Sequence, residues 1–162
     1  MNESDFVRRF GGIYENSPWV AERAEPHLGD SVDYDQIATL MADCVDNASE
    51  ERQFELICAH PDLAGKAQIA GELTAESTDE QASAGLDSCS AAEYERFNEL
   101  NSRYKAKFGF PFVMAVRNSS RADILAAFER RLGNDYESEF EEALVEIHKI
   151  ARLRLEAMGL NE

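Results

Sequence analysis

Three stretches of the chain carry residues whose type and spacing could do chemistry. The first centres on Arg154. From Glu137 to Met158, the residues Phe140, Ala143, Leu144, Ile147, Ile150, Ala151 and Met158 fall on one apolar stripe, taking about 100° per residue for a helix. Arg154 lies inside that stripe and Arg152 lies off it. A guanidinium aimed at a core must be paired or must face a cavity. Spacing allows two readings: a structural ion pair with a buried carboxylate, or an anchor for an anion or a carbonyl. The second stretch is Ala59-His60-Pro61-Asp62-Leu63. The residue before a proline is pushed out of the α region, so His60 ends a helix. There it can line a cleft, or simply complement the helix dipole. The third is Ser77-Thr78-Asp79-Glu80-Gln81. Ser77 and Glu80 have the spacing of a capping box. The same helix start would also offer free N–H groups to a polar ligand. Glu80 and Gln81, a carboxylate beside an amide, could pair with the donor–acceptor edge of a urea or lactam.

The elements that must position these residues all read as helix. Ser17-Pro18 looks like a cap followed by a first-turn proline. Asp33 can cap a helix carrying Ile37, Leu40, Met41, Cys44 and Val45. Ser49 opens another, with Phe54, Ile57 and Cys58. Ser90 with Glu93 is a capping box opening a long helix that stops near Gly109. Ser120 opens a helix that stops at Gly133, and a last helix runs from about Glu137 to Met158. The one β-like run, residues 110–116, is short and contains Pro111, which removes a ladder donor. It is expected to lie as an extended or short helical stretch under the core. Loops are expected at Pro26–Ser31, Pro61–Thr78 and Asn118–Ser120. The three cysteines and the methionines sit at core spacing, while His27 and His148 are expected at the surface. The fold class is all-α: a compact multi-helix bundle, with residues 1–162 as a single domain.

Composition narrows the function. Lys+Arg number 16 and Asp+Glu 32, a net charge of −16. Nucleic acid and anionic membranes are therefore disfavoured as partners. Only four of the basic residues are lysines (Lys66, Lys105, Lys107 and Lys149), a pattern compatible with a salt-rich cytoplasm or with an ordinary acidic enzyme. Three widely spaced cysteines without a CxxC argue against a disulfide framework and a zinc site, and point to a reducing, cytoplasmic compartment. No apolar run is long enough for a transmembrane helix, and the start has no signal-peptide pattern. No phosphate loop, dinucleotide fingerprint or metalloprotease motif is present, and no cluster has metal-ligand spacing.

Five blocks taken together say more. FGGIYENSPWVAERA at 10–24, HPDLAG at 60–65, LTAESTDEQASAGL at 73–86, FNELNSRYKAKFGFPFVMAV at 97–116 and EIHKIARLRL at 146–155 run in order across nearly the whole chain. They resemble the OHCU decarboxylase family, named for 2-oxo-4-hydroxy-4-carboxy-5-ureidoimidazoline. The resemblance implies an all-helical, cofactor-free enzyme, commonly a homodimer, at the last step of urate breakdown. Its substrate is the small molecule OHCU and its product (S)-allantoin, formed by loss of the 4-carboxylate and protonation of one face. It implies that His60 is catalytic with Pro61 beside it, and that Ser77, Glu80 and Gln81 are the SxxEQ substrate-binding set. It implies that Arg154 belongs to the site, and that backbone groups of Phe112, Val113, Met114, Ala115 and Val116 line the pocket. The length further implies no fused transthyretin-like hydrolase domain.

Under that resemblance, His60 would handle the proton, Glu80 and Gln81 the ureido and ring edges, and Arg154 the substrate's negative charge. Main-chain N–H groups near Val113–Ala115 would polarise carbonyl oxygens. The competing classes are a non-catalytic helical interaction module and a decarboxylase of a related ureido-imidazoline acid. A metal hydrolase would need more ligands at closer spacing than His60 and Glu80 offer.

Overall fold

The computed structural model describes residues 4–28, 33–64, 73–117 and 119–159. Parts of the three expected loops, at 29–32, 65–72 and 118, lie outside that range. Among the described residues there are eight α-helices and no strand, and no helix is long and apolar enough to cross a membrane. The chain forms two compact units. One is Met1–Ala59 with Ile147–Glu162; the other is His60–Glu146.

The first unit contains α1 (Asp5–Phe10), α2 (Trp19–Ala24), a 3-10 turn (Glu25–His27), α3 (Tyr34–Asp46) and α4 (Glu50–Cys58). The starts follow local capping chemistry. Ser4 and Ser49 accept from the backbone N–H three residues on, and Asp33 makes a reciprocal box with Gln36. Ser17 does not act as a cap: Pro18 occupies the cap position of α2, and the Ser17 hydroxyl donates to the Glu15 carbonyl at 2.9 Å. Val20, Ala21, Met41, Val45, Leu56 and Ile57 are fully buried. The cysteine expectation needs correcting. Cys58 is exposed at the end of α4, one residue past the buried Leu56-Ile57 pair, and Cys44 is only half-buried.

The second unit contains α5 (Ala75–Ser83), a 3-10 turn (Leu86–Ser88), α6 (Ala91–Phe108) and α7 (Arg121–Leu132). The last helix, α8 (Tyr136–Gly159), belongs to this unit up to Glu146 and to the first unit from Ile147. Helix α6 ends at Gly109, whose φ of 78° is a left-handed conformation that a side chain would disfavour. The chain then runs without regular structure through 110–116, with Phe110, Phe112, Val113 and Val116 buried. Phe112 stacks on Phe128 at 3.8 Å, and Tyr104 meets Phe112 edge-on at 5.4 Å.

Two full charges sit inside this aromatic core. Arg131 is 1% exposed and Glu139 is fully buried. Arg131 Nε donates to Glu139 Oε1 at 2.8 Å, and its Nη1 donates to the Val113 carbonyl at 2.7 Å. The Tyr104 hydroxyl and Asn134 Nδ2 donate to the same carboxylate, at 2.5 and 2.9 Å. The guanidinium lies 4.4 Å over the Phe112 ring. Burial, and then the bond to Glu139, push the Tyr104 phenol well above its ordinary ionisation range.

Breaking a buried pair leaves one charge uncompensated. Glu139→Ala should cost about 3–5 kcal/mol, a fall in Tm of roughly 6–20 °C for a chain this long. Glu129→Ala removes one of the two carboxylates paired with Arg96 at the surface, the other being Glu99, and should cost about 1 kcal/mol or less. Thermal melts of the two variants check the contrast; equal, small losses would contradict it.

Candidate active site

His60 follows the end of α4 and is 8% exposed. Pro61 explains why no helix continues through it. The loop that follows is held at four points. Gln81 accepts from the Ala64 N–H at 3.0 Å and donates to the Asp62 carbonyl at 3.2 Å. Asn101 Nδ2 donates to the Leu63 carbonyl at 3.0 Å, and Lys105 Nζ to the Asp62 carboxylate at 2.7 Å. The clamp has strain to hold, because Ala64 sits at φ 52°, a left-handed conformation that costs a residue other than glycine about 1–3 kcal/mol.

Gln81 comes from α5, and this helix is inverted. Its buried residues are Ser77, Glu80 and Gln81, at i, i+3 and i+4, with relative exposures of 5%, 8% and 2%. Ala75, Glu76, Thr78, Asp79, Ala82 and Ser83 are exposed. An ordinary surface helix turns an apolar stripe inward. One that buries serine, glutamate and glutamine has to satisfy their polar groups there. The start of α5 differs from the expectation. Thr74 is its cap, accepting from the Ser77 N–H at 3.2 Å, so Ser77 lies inside the first turn. Its N–H is not one of the open donors that a start at Ser77 would supply.

The 112–116 segment is pinned from within the same unit. Arg131 takes the Val113 carbonyl, and the Ala115 N–H donates to Glu146 Oε1 at 3.2 Å. Of the main-chain donors expected near Val113–Ala115, that of Ala115 is thus bonded to the protein's own carboxylate. Met114 and Ala115 are half-buried.

Arg154 lies in the first unit and is 6% exposed. Its Nη1 donates to the carbonyls of Gly12 and Ile13 at 3.2 and 3.3 Å, and its Nη2 to Glu15 Oε2 at 3.3 Å. Glu15 is 2% exposed. The buried ion pair that its helical position allows is therefore present. His27 is exposed as expected. His148 is not a plain surface residue: it is half-buried and bonded on both ring nitrogens. Sequence reasoning missed Glu15, Arg131, Glu139 and Glu146. For Glu139 and Glu146 the signal was available, since both fall on the same stripe as Ala143, Ile147, Ile150 and Arg154.

The family model for OHCU decarboxylase matches residues 1–156. The chain belongs to the OHCU decarboxylase family. It is 47% identical to the 2-oxo-4-hydroxy-4-carboxy-5-ureidoimidazoline decarboxylase of Haloferax volcanii, over 96% of this chain and 89% of that one. It is 45% identical to the protein of the same name from Halalkalicoccus jeotgali, over 98% of this chain and 89% of that one. Among solved structures it is similar to an (S)-allantoin synthase, with a TM-score of 0.74 and 36% identity, covering 93% of this chain. The match spans 48% of that synthase chain.

Hydrogen exchange checks the clamp directly. In Gln81→Ala the Ala64 amide loses its acceptor, so its exchange should quicken about tenfold or more while amides in the middle of α6 keep their protection. An unchanged Ala64 amide would mean that Gln81 does not hold the loop.

Proposed function

We propose that this protein decarboxylates OHCU to (S)-allantoin, in the breakdown of urate, and that His60, Glu80 and Arg154 are its central side chains. The observation that carries the site is the inverted face of α5, clamped through Gln81 to the loop that follows His60. A helical interaction module would have no use for a helix that buries Ser77, Glu80 and Gln81 in place of apolar residues.

The chemistry sets three requirements. The bond to the 4-carboxylate breaks, and its electron pair forms a double bond to the adjacent carbon 5. The imine nitrogen on that carbon takes up the displaced pair with a proton. The 4-hydroxyl then gives up its proton as it becomes a carbonyl, and a proton lands on carbon 5. A site must hold the carboxylate in a place of low dielectric, stabilise the charge as it moves into the ring, and deliver the last proton to one face. In this reading His60 delivers that proton, since an imidazole can both hold and release one near neutral pH. Glu80 takes up N–H groups of the ureido and ring edges. Ser77, Pro61 and the 112–116 backbone shape the pocket, and Gln81 adds a contact with whatever capacity its loop clamp leaves. Arg154 meets the substrate's negative charge, which a protein of net charge −16 would otherwise repel. The same reading makes residues 1–162 one domain, acting without a cofactor, as a homodimer in the cytoplasm.

His60→Asn tests the assignment. Turnover of OHCU should fall by about a hundredfold or more, with Tm close to that of the parent protein. Turnover near the parent rate would remove His60 from the proton-carrying role.

A further inference from the structure

The stretch that grips Arg154 is tied, through Tyr14, to a hydrogen-bonded chain that no step above uses. Arg154 takes the carbonyls of Gly12 and Ile13 and the carboxylate of Glu15. Tyr14 lies between them in sequence and is 2% exposed. Its hydroxyl is 2.8 Å from His148 Nδ1, and His148 Nε2 is 3.0 Å from Asp46 Oδ1. The Tyr14 and His148 rings meet edge-on at 5.9 Å. The 12–15 stretch is thus tied to α8 twice, by Arg154 and by His148. These residues are six apart, about 9 Å along the helix axis, and on different faces of it.

With His148 in its neutral form, the donors and acceptors in this chain have one consistent order. The Asp46 carboxylate only accepts, so His148 Nε2 carries the hydrogen. In the neutral ring Nδ1 is then bare and accepts from the Tyr14 hydroxyl. Burial, with Asp46 and Cys44 nearby, pushes the Tyr14 phenol far above its ordinary range, so it stays protonated and able to donate. Backbone bonds close the turn around it: Ile13 N–H to the Phe10 carbonyl at 3.2 Å, and Ser17 N–H to the Tyr14 carbonyl at 3.1 Å. Asn16, just beyond, is in the left-handed region at φ 46°. Several local constraints therefore converge on a stretch with no regular structure of its own.

We propose that Tyr14, held by His148 and Asp46, is a positioning residue for Arg154: it fixes the carbonyls and carboxylate that set where the guanidinium points. The inference rests on the reading that Arg154 meets the substrate. A hydroxyl that only packed the first unit would affect stability alone. One that aims Arg154 should act on catalysis through that arginine and nowhere else.

The test is a double-mutant cycle with Tyr14→Phe and Arg154→Lys, using OHCU generated from urate. Tyr14→Phe should lower kcat/KM about tenfold, mostly through KM, with little change in Tm. On the Arg154→Lys background the same change should cost about twofold or less, because the group it aims is already altered. Parent kinetics in Tyr14→Phe, or equal losses on both backgrounds, would overturn the proposal. Nitrogen-15 spectra give a readout independent of turnover. The parent protein should show neutral His148 as the Nε2–H tautomer, and Tyr14→Phe should shift the Arg154 Nε resonance. The opposite tautomer, or an unmoved Arg154 resonance, would overturn the proposal even if the variant folded poorly for kinetics. If the parent protein turns over no OHCU, the decarboxylase reading fails and the spectra alone decide whether Tyr14 aims Arg154.

Discussion

A charge removed from water must find a partner, and this constraint shapes both units of the protein. Arg131 and Glu139 are buried among aromatic rings in one unit, and Arg154 and Glu15 are buried in the other. None could be there alone, because an unpaired buried charge costs several kcal/mol. The consequence is geometric. An arginine has five donors, and a core that buries it must supply acceptors for them. In the second unit Arg131 therefore reaches past Glu139 to the Val113 carbonyl, and so fixes an irregular segment that no helix or sheet would hold. In the first unit Arg154 reaches the Gly12 and Ile13 carbonyls and does the same for the turn there.

The same logic governs the loop after His60. Residues 61–64 have no regular structure, and Ala64 adopts a left-handed conformation. Side-chain amides provide what backbone pairing does not: Gln81 brackets Asp62 and Ala64, and Asn101 takes Leu63. An enzyme that protonates one face of a planar carbon needs its proton donor placed to within a fraction of an ångström. Rigid side-chain clamps on short loops are one way to reach that with an all-helical scaffold. Burying serine, glutamate and glutamine on α5 offers no apolar packing, and Gln81 spends its buried amide on the loop.

Much of this was readable in the sequence where the physics is local. The caps at Asp33, Ser49, Ser90 and Ser120 depend on residues within three positions of each other, and each forms as expected. Residues 110–116, read as either extended or a short helical stretch, run without regular structure after the Gly109 stop. Local patterns failed where two of them overlapped. Thr74 and Ser77 both stand where a cap could stand, and the chain uses Thr74. Ser17 resembled a cap, but Pro18 takes that position. Arg154 stood out because a charge broke an apolar stripe, and Glu139 and Glu146 break the same stripe. Arg131 carried the same kind of signal: seven residues after Ile124 and three after Phe128, it falls on the buried stripe of its helix, and Arg130 falls off it. The Tyr14–His148 bond joins residues 134 positions apart, beyond the reach of any local pattern.

The most direct measurement of the central claim is circular dichroism on OHCU freshly generated from urate, with and without the protein. The account predicts rapid appearance of a single allantoin enantiomer, of S configuration, only when the protein is present. Racemic allantoin forming at the spontaneous rate beside well-folded protein, at both low and high salt, would contradict it.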